Sequence, residues 1–117
     1  NGWHTEDEMY LQNIQEATKV IRTDFFRPPY GRIKRSQLKK IHANKHLPQQ
    51  IIMWDVISGD FDTKMTGQDC LNNVLKHTQA GSIVVFHDSA KAWDRLQVAL
   101  PATLEHFTKQ GYQFRAL

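Results

Sequence analysis

The chain has 117 residues, which is enough for one compact domain and too few for two. Apolar residues make up 40% of it, and no apolar run approaches the ~20 residues that a membrane-spanning helix needs. The 15 basic residues exceed the 12 acidic ones only slightly, with one basic cluster at Arg32 to Lys40. That cluster has no interleaved aromatic residues, so it indicates a solvated helix face and argues against a nucleic-acid partner.

Neither the cysteine content nor the first residues indicate a cellular compartment. Cys70 is the only cysteine, so no disulfide can form within the chain. The chain opens at Asn1 without an initiator Met, so the lack of a signal peptide at this end leaves the localisation open.

The hydrophobic spacing predicts helices that alternate with strands. The helices are expected over residues 5–22, 34–44, 66–81 and 93–107. The strands are expected over residues 25–26, 51–54, 82–86 and 112–114. Capping boxes are expected to open the first helix at Thr5–Glu8 and the third at Thr66–Asp69, and Pro101 is expected to kink or break the last helix near Ala99.

Regular alternation of this kind predicts an α/β fold made of parallel β/α units. In such folds the functional groups lie at the C-terminal ends of the strands. Polar residues follow three of the expected strands, at Arg27–Gly31, Asp55–Asp60 and His87–Asp88. An open doubly wound sheet would also fit the alternation, but the chain has no Gly-rich phosphate loop to support it.

The segment after the first strand predicts a rigidly presented arginine. Pro28 disfavours the helical region for the residue before it, so Arg27 is held extended. A guanidinium pairs well with carboxylates and could hold an acidic catalytic group in place. A proline-rich loop with a surface arginine is the simpler alternative.

His87 and Asp60 form the second candidate pair. An imidazole exchanges protons near neutral pH and can give one to a departing amine if a carboxylate fixes its tautomer. Asp60, at the end of another expected strand, could be that carboxylate. Taken singly, a histidine at a strand end is more often structural, so the interpretation depends on several groups meeting in one place.

Together these motifs resemble the polysaccharide deacetylase family, the carbohydrate esterase group that shares the NodB-type domain. The resemblance covers nearly the whole chain in the family's order, and the matching segments are Phe26–Gly31, Trp54–Asp60, Gly81–Asp88 and Leu104–Phe114. They correspond to the family's third, fourth and fifth motifs and to its closing helix and strand.

The resemblance implies a fold, an activity and a cofactor. The fold would be a distorted, TIM-like (β/α) barrel, and the activity a bacterial hydrolase that removes N- or O-linked acetyl groups from polysaccharides such as peptidoglycan or chitin-like polymers. A divalent, zinc-like ion would polarise the carbonyl and acidify a bound water. The family also suggests a cell-envelope or secreted location, with a cytoplasmic one as the alternative.

The resemblance also implies roles for individual residues. His87 would be the general acid, Asp60 its partner and Arg27 the clamp on the catalytic carboxylate. The backbone N–H of Tyr30 would stabilise the oxyanion. The remaining substrate-binding residues would be Phe61, Val85 and Trp54. The family usually has Trp at the position of Phe61 and Leu at that of Val85, which leaves the substrate preference open.

The family's first two motifs, which supply the base and the metal ligands, have no counterpart here. We therefore expect residues 1–117 to be a single partial domain holding the later half of the barrel, without a metal site and inactive alone. His42 and His46 have metal-binding spacing, but they lack a third ligand and lie among lysines. Because half a barrel leaves strand edges unpaired, we expect a homo-oligomer or pairing with the missing half. A non-catalytic, glycan-binding or self-associating half-barrel is the alternative function.

Overall fold

A computed structural model describes residues 1–117 as two compact units, residues 1–53 and residues 54–117. We call them the N-terminal unit and the C-terminal unit. Each contains two helices and two short parallel strands. The predicted α/β fold with parallel strands is therefore confirmed. No helix combines the length and the apolar character that crossing a membrane would require.

The N-terminal unit alternates helices and strands around a small apolar core. Its elements are a 3-10 turn at Gly2–His4, α1 (Asp7–Thr18), β1 (Phe25–Phe26), a 3-10 turn at Pro29–Gly31, α2 (Arg35–Ala43) and β2 (Gln50–Ile51). Strands β1 and β2 are parallel, with Phe25 opposite Gln50 and Phe26 opposite Ile51. Its buried core consists of Tyr10, Ile14, Ile41 and Leu47.

The C-terminal unit repeats the pattern with a longer final helix. Its elements are β3 (Val56–Ile57), α3 (Gly67–His77), β4 (Val84–Val85) and α4 (Trp93–Lys109). Strands β3 and β4 are parallel, with Val56 opposite Val84 and Ile57 opposite Val85. Its buried core consists of Val56, Val74 and Phe107.

An aspartate extends each short strand pair by one position. Asp24 precedes β1, and its carboxylate accepts the backbone N–H of Gln49 at 2.9 Å and the side-chain amide of Gln50 at 3.0 Å. Asp55 precedes β3, and its carboxylate accepts the backbone N–H of Ile83 at 2.7 Å. In both pairs the acceptor lies opposite its main-chain donor in the strand register. These bonds stabilise a register that strands of two residues would otherwise specify weakly.

The first helix is shorter than predicted. It runs from Asp7 to Thr18, and the Thr5 hydroxyl donates to the Asn1 carbonyl at 2.8 Å instead of capping the helix. Ile21 lies inside the predicted helix of residues 5–22, but it is 60% exposed because the chain leaves the helix before reaching it. The apolar residues keep helical spacing as far as Ile21, but the core does not extend far enough to bury the last of them.

The predicted strand at residues 51–54 is displaced. Strand β2 covers Gln50–Ile51, and the next strand, β3 (Val56–Ile57), lies within Asp55–Asp60, the polar segment that was expected to follow the strand. Met53 is 42% exposed, so the apolar run is not buried on both faces. The strand predicted at 82–86 contains only Val84 and Val85 in the ladder, although it lies at the expected place.

The third helix opens where the sequence indicated. The Thr66 hydroxyl accepts the N–H of Asp69 at 3.1 Å, and the Asp69 carboxylate accepts the N–H of Thr66 at 2.9 Å. This reciprocal pair confirms the capping box. The helix ends at His77, four residues before the predicted terminator Gly81.

The last helix is continuous through Pro101, so of the two alternatives expected there, a kink or a break, the break is wrong. Pro101 removes one helical hydrogen bond, but a stripe of buried residues on both sides of it holds the helix together; these residues are Leu96, Ala99, Thr103 and Phe107. The predicted closing strand at 112–114 is also absent. Tyr112 packs against Phe107 instead, with ring centroids 5.0 Å apart.

The aspartate before β1 predicts a pH-dependent loss of stability. The Gln49 N–H and the Gln50 side chain hold the pKa of Asp24 below its ordinary value. A carboxyl whose folded pKa is lowered stabilises the fold above the unfolded pKa, and this stabilisation is lost as the pH falls through the lower, folded value. Asp24→Ala should therefore lower the urea midpoint at neutral pH, and its difference from the parent should shrink in acid.

Asp88→Ala is the matched control for this measurement, because the exposed Asp88 carboxylate makes no hydrogen bond. It should leave the urea midpoint nearly unchanged at both pH values. Equal midpoints for Asp24→Ala and Asp88→Ala at neutral pH would show that the Asp24 bonds do not stabilise the strand pair.

Candidate active site

The two strands of the C-terminal unit bring Asp60 and His87 together. Strands β3 and β4 are parallel, so their carboxyl ends lie at the same edge. The ladder continues past β3, where the Ser58 N–H donates to the Val85 carbonyl at 3.0 Å. Asp60 follows two residues after Ser58, and His87 follows two residues after Val85. This is the strand-end meeting that the sequence predicted for these two residues.

The Asp60 carboxylate is fully buried and accepts two hydrogen bonds from the same residue. The Nδ1 atom of His87 lies 2.7 Å from one carboxylate oxygen, and the backbone N–H of His87 donates to the other oxygen, also at 2.7 Å. Because an ionised carboxylate only accepts hydrogen bonds, Nδ1 must carry the proton of this contact. Asp60 thus fixes both the orientation and the tautomer of the imidazole.

The other side of the imidazole is accessible. The His87 side chain is 34% exposed, and its Nε2 has no hydrogen-bond partner. The Phe61 ring meets the imidazole edge to face, with centroids 5.3 Å apart and an angle of 73° between the planes. A substrate atom could therefore reach Nε2 beside an apolar wall, while Nδ1 stays fixed to Asp60.

A glycine shapes the turn that delivers Asp60. Gly59 has a φ of +88°, which side chains rarely tolerate, and a Cβ at this position would lie 2.6 Å from the Met65 sulfur. The Asp60 N–H then donates to the Ser58 hydroxyl at 3.3 Å, within the turn. The carboxylate is thus held by the local backbone as well as by His87.

Sequence reasoning missed Arg95, which bonds to the main chain of Asp60. The Arg95 Nε–H donates to the Asp60 carbonyl at 2.7 Å, and Arg95 is only 8% exposed. A signal was present in the sequence, because helical spacing puts position 95 on the same inward stripe as Ala92, Leu96 and Ala99. A charged residue on a buried stripe needs a polar partner.

Two further predicted site residues lie in this unit. Val85 is buried in β4, two residues before His87, and Trp54 is half-buried just before β3. Their roles in substrate binding remain predictions.

The remaining predicted residues lie in the N-terminal unit, in the turn that follows β1. Pro28 is buried and extended, with φ −58° and ψ 129°. Tyr30 is the only residue other than glycine with a positive φ, at 59°, and Gly31 follows with a φ of 65°. The left-handed conformation costs a tyrosine roughly 1–2 kcal/mol, yet its side chain is 80% exposed. Strain at an exposed residue indicates a functional constraint on the turn.

Arg27 precedes this turn and is exposed. Its guanidinium has no carboxylate partner within the N-terminal unit, where the ion pairs join Lys19, Lys34 and Lys40 to acidic residues. Its role as a clamp on a catalytic carboxylate, like the role of Tyr30 in stabilising an oxyanion, remains a prediction.

The residues of the chain do not fit a zinc-like ion. No three of the His, Cys, Asp and Glu side chains come together in a group that could hold a metal. His42 lies in the last turn of α2, whereas His46 lies beyond the end of the helix and its backbone N–H donates to the Asn44 side chain. The spacing of these two histidines therefore does not place them one turn apart on a helix.

Comparison with known proteins agrees with the motifs. No protein-family model matches the chain. A curated relative, a peptidoglycan-N-acetylglucosamine deacetylase of Bacillus cereus, is 31% identical over an alignment of 128 positions, gaps included, which covers 97% of the chain and 59% of the relative. The resemblance to the polysaccharide deacetylases is confirmed. The chain nevertheless spans less than two thirds of this relative's length.

Solved structures show the same fold. A crystal structure of a peptidoglycan N-acetylglucosamine deacetylase in complex with 4-naphthalen-1-yl-N-oxidanyl-benzamide matches the whole chain and 56% of its own, with a TM-score of 0.85 and 23% identity. A CE4 family pseudoenzyme from Bacillus anthracis matches 92% of the chain and 36% of its own, with a TM-score of 0.67 and 20% identity. These likenesses confirm that the fold is that of part of a NodB-type (β/α) barrel.

The reactivity of the buried Cys70 thiol reports how well α3 is packed near Asp60. Cys70 is fully buried in α3, and burial raises the pKa of its thiol, as does the nearby Asp60 carboxylate. Both effects reduce the thiolate, which is the reactive form. Iodoacetamide should therefore alkylate Cys70 in the folded chain at least about a hundredfold more slowly than in urea. Alkylation at the rate of a free thiol such as glutathione would show that α3 does not seal this position.

Proposed function

We propose that the chain carries the proton-donating half of a polysaccharide deacetylase, a hydrolase that removes acetyl groups from N-acetylated or O-acetylated polysaccharide. The observation that carries this proposal is the fully buried Asp60 carboxylate, whose two oxygens both bind His87. The sequence likeness to a peptidoglycan deacetylase supports the substrate class.

The geometry suits His87 to the role of general acid. When an N-acetyl group is hydrolysed, the water oxygen bonds to the carbonyl carbon, the C–N bond breaks and the nitrogen departs with a proton. With Nδ1–H bound to Asp60, a second proton on Nε2 can pass to the departing nitrogen. The Asp60 carboxylate stabilises the imidazolium before the transfer and keeps the ring aimed during it.

The other assigned residues would act on the substrate rather than on the proton. Phe61, next to the imidazole, would form part of the apolar wall for the acetyl methyl, together with Val85. Trp54 would be a further substrate-binding residue. The Tyr30 N–H would donate to the oxyanion, a contact worth ~3 kcal/mol in comparable chemistry. The strained conformation of Tyr30 supports this role, and Arg27 would orient a carboxylate that acts as the base.

A zinc-like ion is implied by the resemblance, but these residues supply no ligand set for it. Its ligands would have to come from polypeptide outside residues 1–117. We therefore assign no step through a metal to this chain and expect the chain to be inactive when it is alone.

Acetate release from acetylated glycan oligomers tests the proposal. The longest product of the reading frame that contains this chain should deacetylate them, and His87→Gln in that product should lower kcat by roughly 10²–10⁴-fold. His77→Gln is the matched control, because His77 is an exposed residue of α3 that bonds only to the backbone of its own helix. Full activity of His87→Gln, or turnover by the chain alone with added zinc, would contradict the assignment.

The alternative is a non-catalytic half-barrel that binds glycans or associates with itself. Two observations favour it: no ligand set is present, and each strand pairs with only one other strand. Unpaired strand edges promote association between chains. The chain should then form a homo-oligomer, or pair with the missing barrel half, and light scattering at micromolar concentration should detect a dimer or a larger species. A monodisperse monomer would contradict self-association.

A further inference from the structure

The Asp60 carbonyl is a buried acceptor outside the strand ladder. The last backbone bond between the two strands joins the Ser58 N–H to the Val85 carbonyl. Asp60 lies beyond it, is fully buried and receives a hydrogen bond from a residue of another element, the Arg95 Nε–H of α4. A buried carbonyl without a donor would be costly, so this bond fixes the main chain at Asp60.

Using Arg95 as the donor requires a guanidinium to be buried, which costs free energy. It is 8% exposed, and it forms no ion pair with any carboxylate. Its guanidinium donates to two main-chain carbonyls, those of Asp60 and of Lys91 in the turn before α4. A methionine would fill the same inward position of α4 without the cost of burying a charge. The hydrogen bonds of the guanidinium to these carbonyls, and not the packing of the side chain, therefore explain why an arginine is at this position.

All the polar groups of Asp60 are consequently occupied. Its N–H donates to the Ser58 hydroxyl, its carbonyl accepts from Arg95, and its two carboxylate oxygens accept from His87. Three of these contacts lie within the strand-end turn and the neighbouring strand. Arg95 alone ties the residue to α4.

We propose that Arg95 is a positioning residue for the Asp60–His87 pair. It holds the Asp60 backbone so that both carboxylate oxygens meet the two His87 donors. Its importance for catalysis rests on the proposed function, whereas its effect on the pair does not. Arg95 is buried and bonds only to main chain, so it would influence the reaction through Asp60 and not through contact with substrate.

NMR of the chain tests the positioning directly. In the parent, the His87 Nδ1–H proton should be observable and protected from water by its bond to Asp60. In Arg95→Met, its exchange with water should be faster by roughly tenfold or more, approaching that of Asp60→Asn, while the core amide resonances stay unchanged. Gln97→Met is the matched control, since it introduces the same side chain at an exposed position of the same helix. Equal protection in Arg95→Met and Gln97→Met would overturn the proposal.

A second measurement uses the unaltered chain, so it still tests the proposal if Arg95→Met does not fold. In the unaltered chain, the Arg95 Nε–H proton should exchange with water at least about tenfold more slowly than that of the exposed Arg35, because it donates to the buried Asp60 carbonyl. Arg95→Lys keeps a donor on a straight chain and should retain part of the Nδ1–H protection. An Arg95 Nε–H proton that exchanges as fast as that of Arg35 would overturn the proposal.

An activity measurement separates this inference from the proposed function. In the longest product of the reading frame that contains this chain, Arg95→Met should lower kcat by roughly a hundredfold, with KM changed by no more than about twofold, as expected for a misplaced catalytic group. Loss of Nδ1–H protection in Arg95→Met without any deacetylase activity in the parent would support the positioning role and refute the proposed function. A rise in KM with kcat unchanged would overturn the positioning role.

Discussion

The candidate site depends on the Asp60 carboxylate, which both extends the strand pairing and orients the His87 imidazole. Strands β3 and β4 share a ladder only two residues long, which is a weak platform for a catalytic pair. Beyond this ladder, the Asp60 carboxylate accepts the backbone N–H of His87, in the way that a strand carbonyl would accept it. The same carboxylate also accepts the Nδ1–H of His87. The bond that extends the strand pairing therefore also orients the imidazole. Loss of the carboxylate would release both at once.

Side chains complete the strand pairing elsewhere in the molecule as well. Asp24 and Asp55 take the backbone N–H groups that lie one position before each ladder. In the C-terminal unit the ladder is therefore bounded by a carboxylate at each end, Asp55 at the start and Asp60 at the finish. The difference lies in exposure: Asp55 is exposed to water, whereas Asp60 is fully buried and its carboxylate oxygens have the His87 hydrogen bonds in place of water. The hydrogen bond from a backbone N–H to a carboxylate therefore stabilises the strand pairing at Asp55, whereas at Asp60 it also belongs to the candidate site.

Local chemistry made parts of this arrangement predictable from the sequence, and long-range partners made the rest unpredictable. The capping box at Thr66 is complete within four residues, so its sequence pattern was sufficient. The ends of α1 and the continuity of α4 through Pro101 depend on which surfaces bury them, and periodicity does not contain that information. Polar residues expected after strands pointed to Asp60 and His87, although the strand before Asp60 lies later in the chain than predicted. Arg95 lies 35 residues from Asp60 in the sequence and was detectable only as a charge on an inward stripe.

A proton donor and a metal site are separate physical requirements, and the residues of this chain suit only the first. The donor needs one imidazole, one buried carboxylate and a rigid turn, all of which come from the C-terminal unit alone. A zinc site needs three or four ligands converging on one point, and no such group exists here. Since the solved structures with this fold include a CE4 pseudoenzyme and a mutant of one with restored activity, the fold by itself does not decide activity. What this chain itself holds is the Asp60–His87 pair, which the Arg95 bond to the Asp60 carbonyl joins to α4.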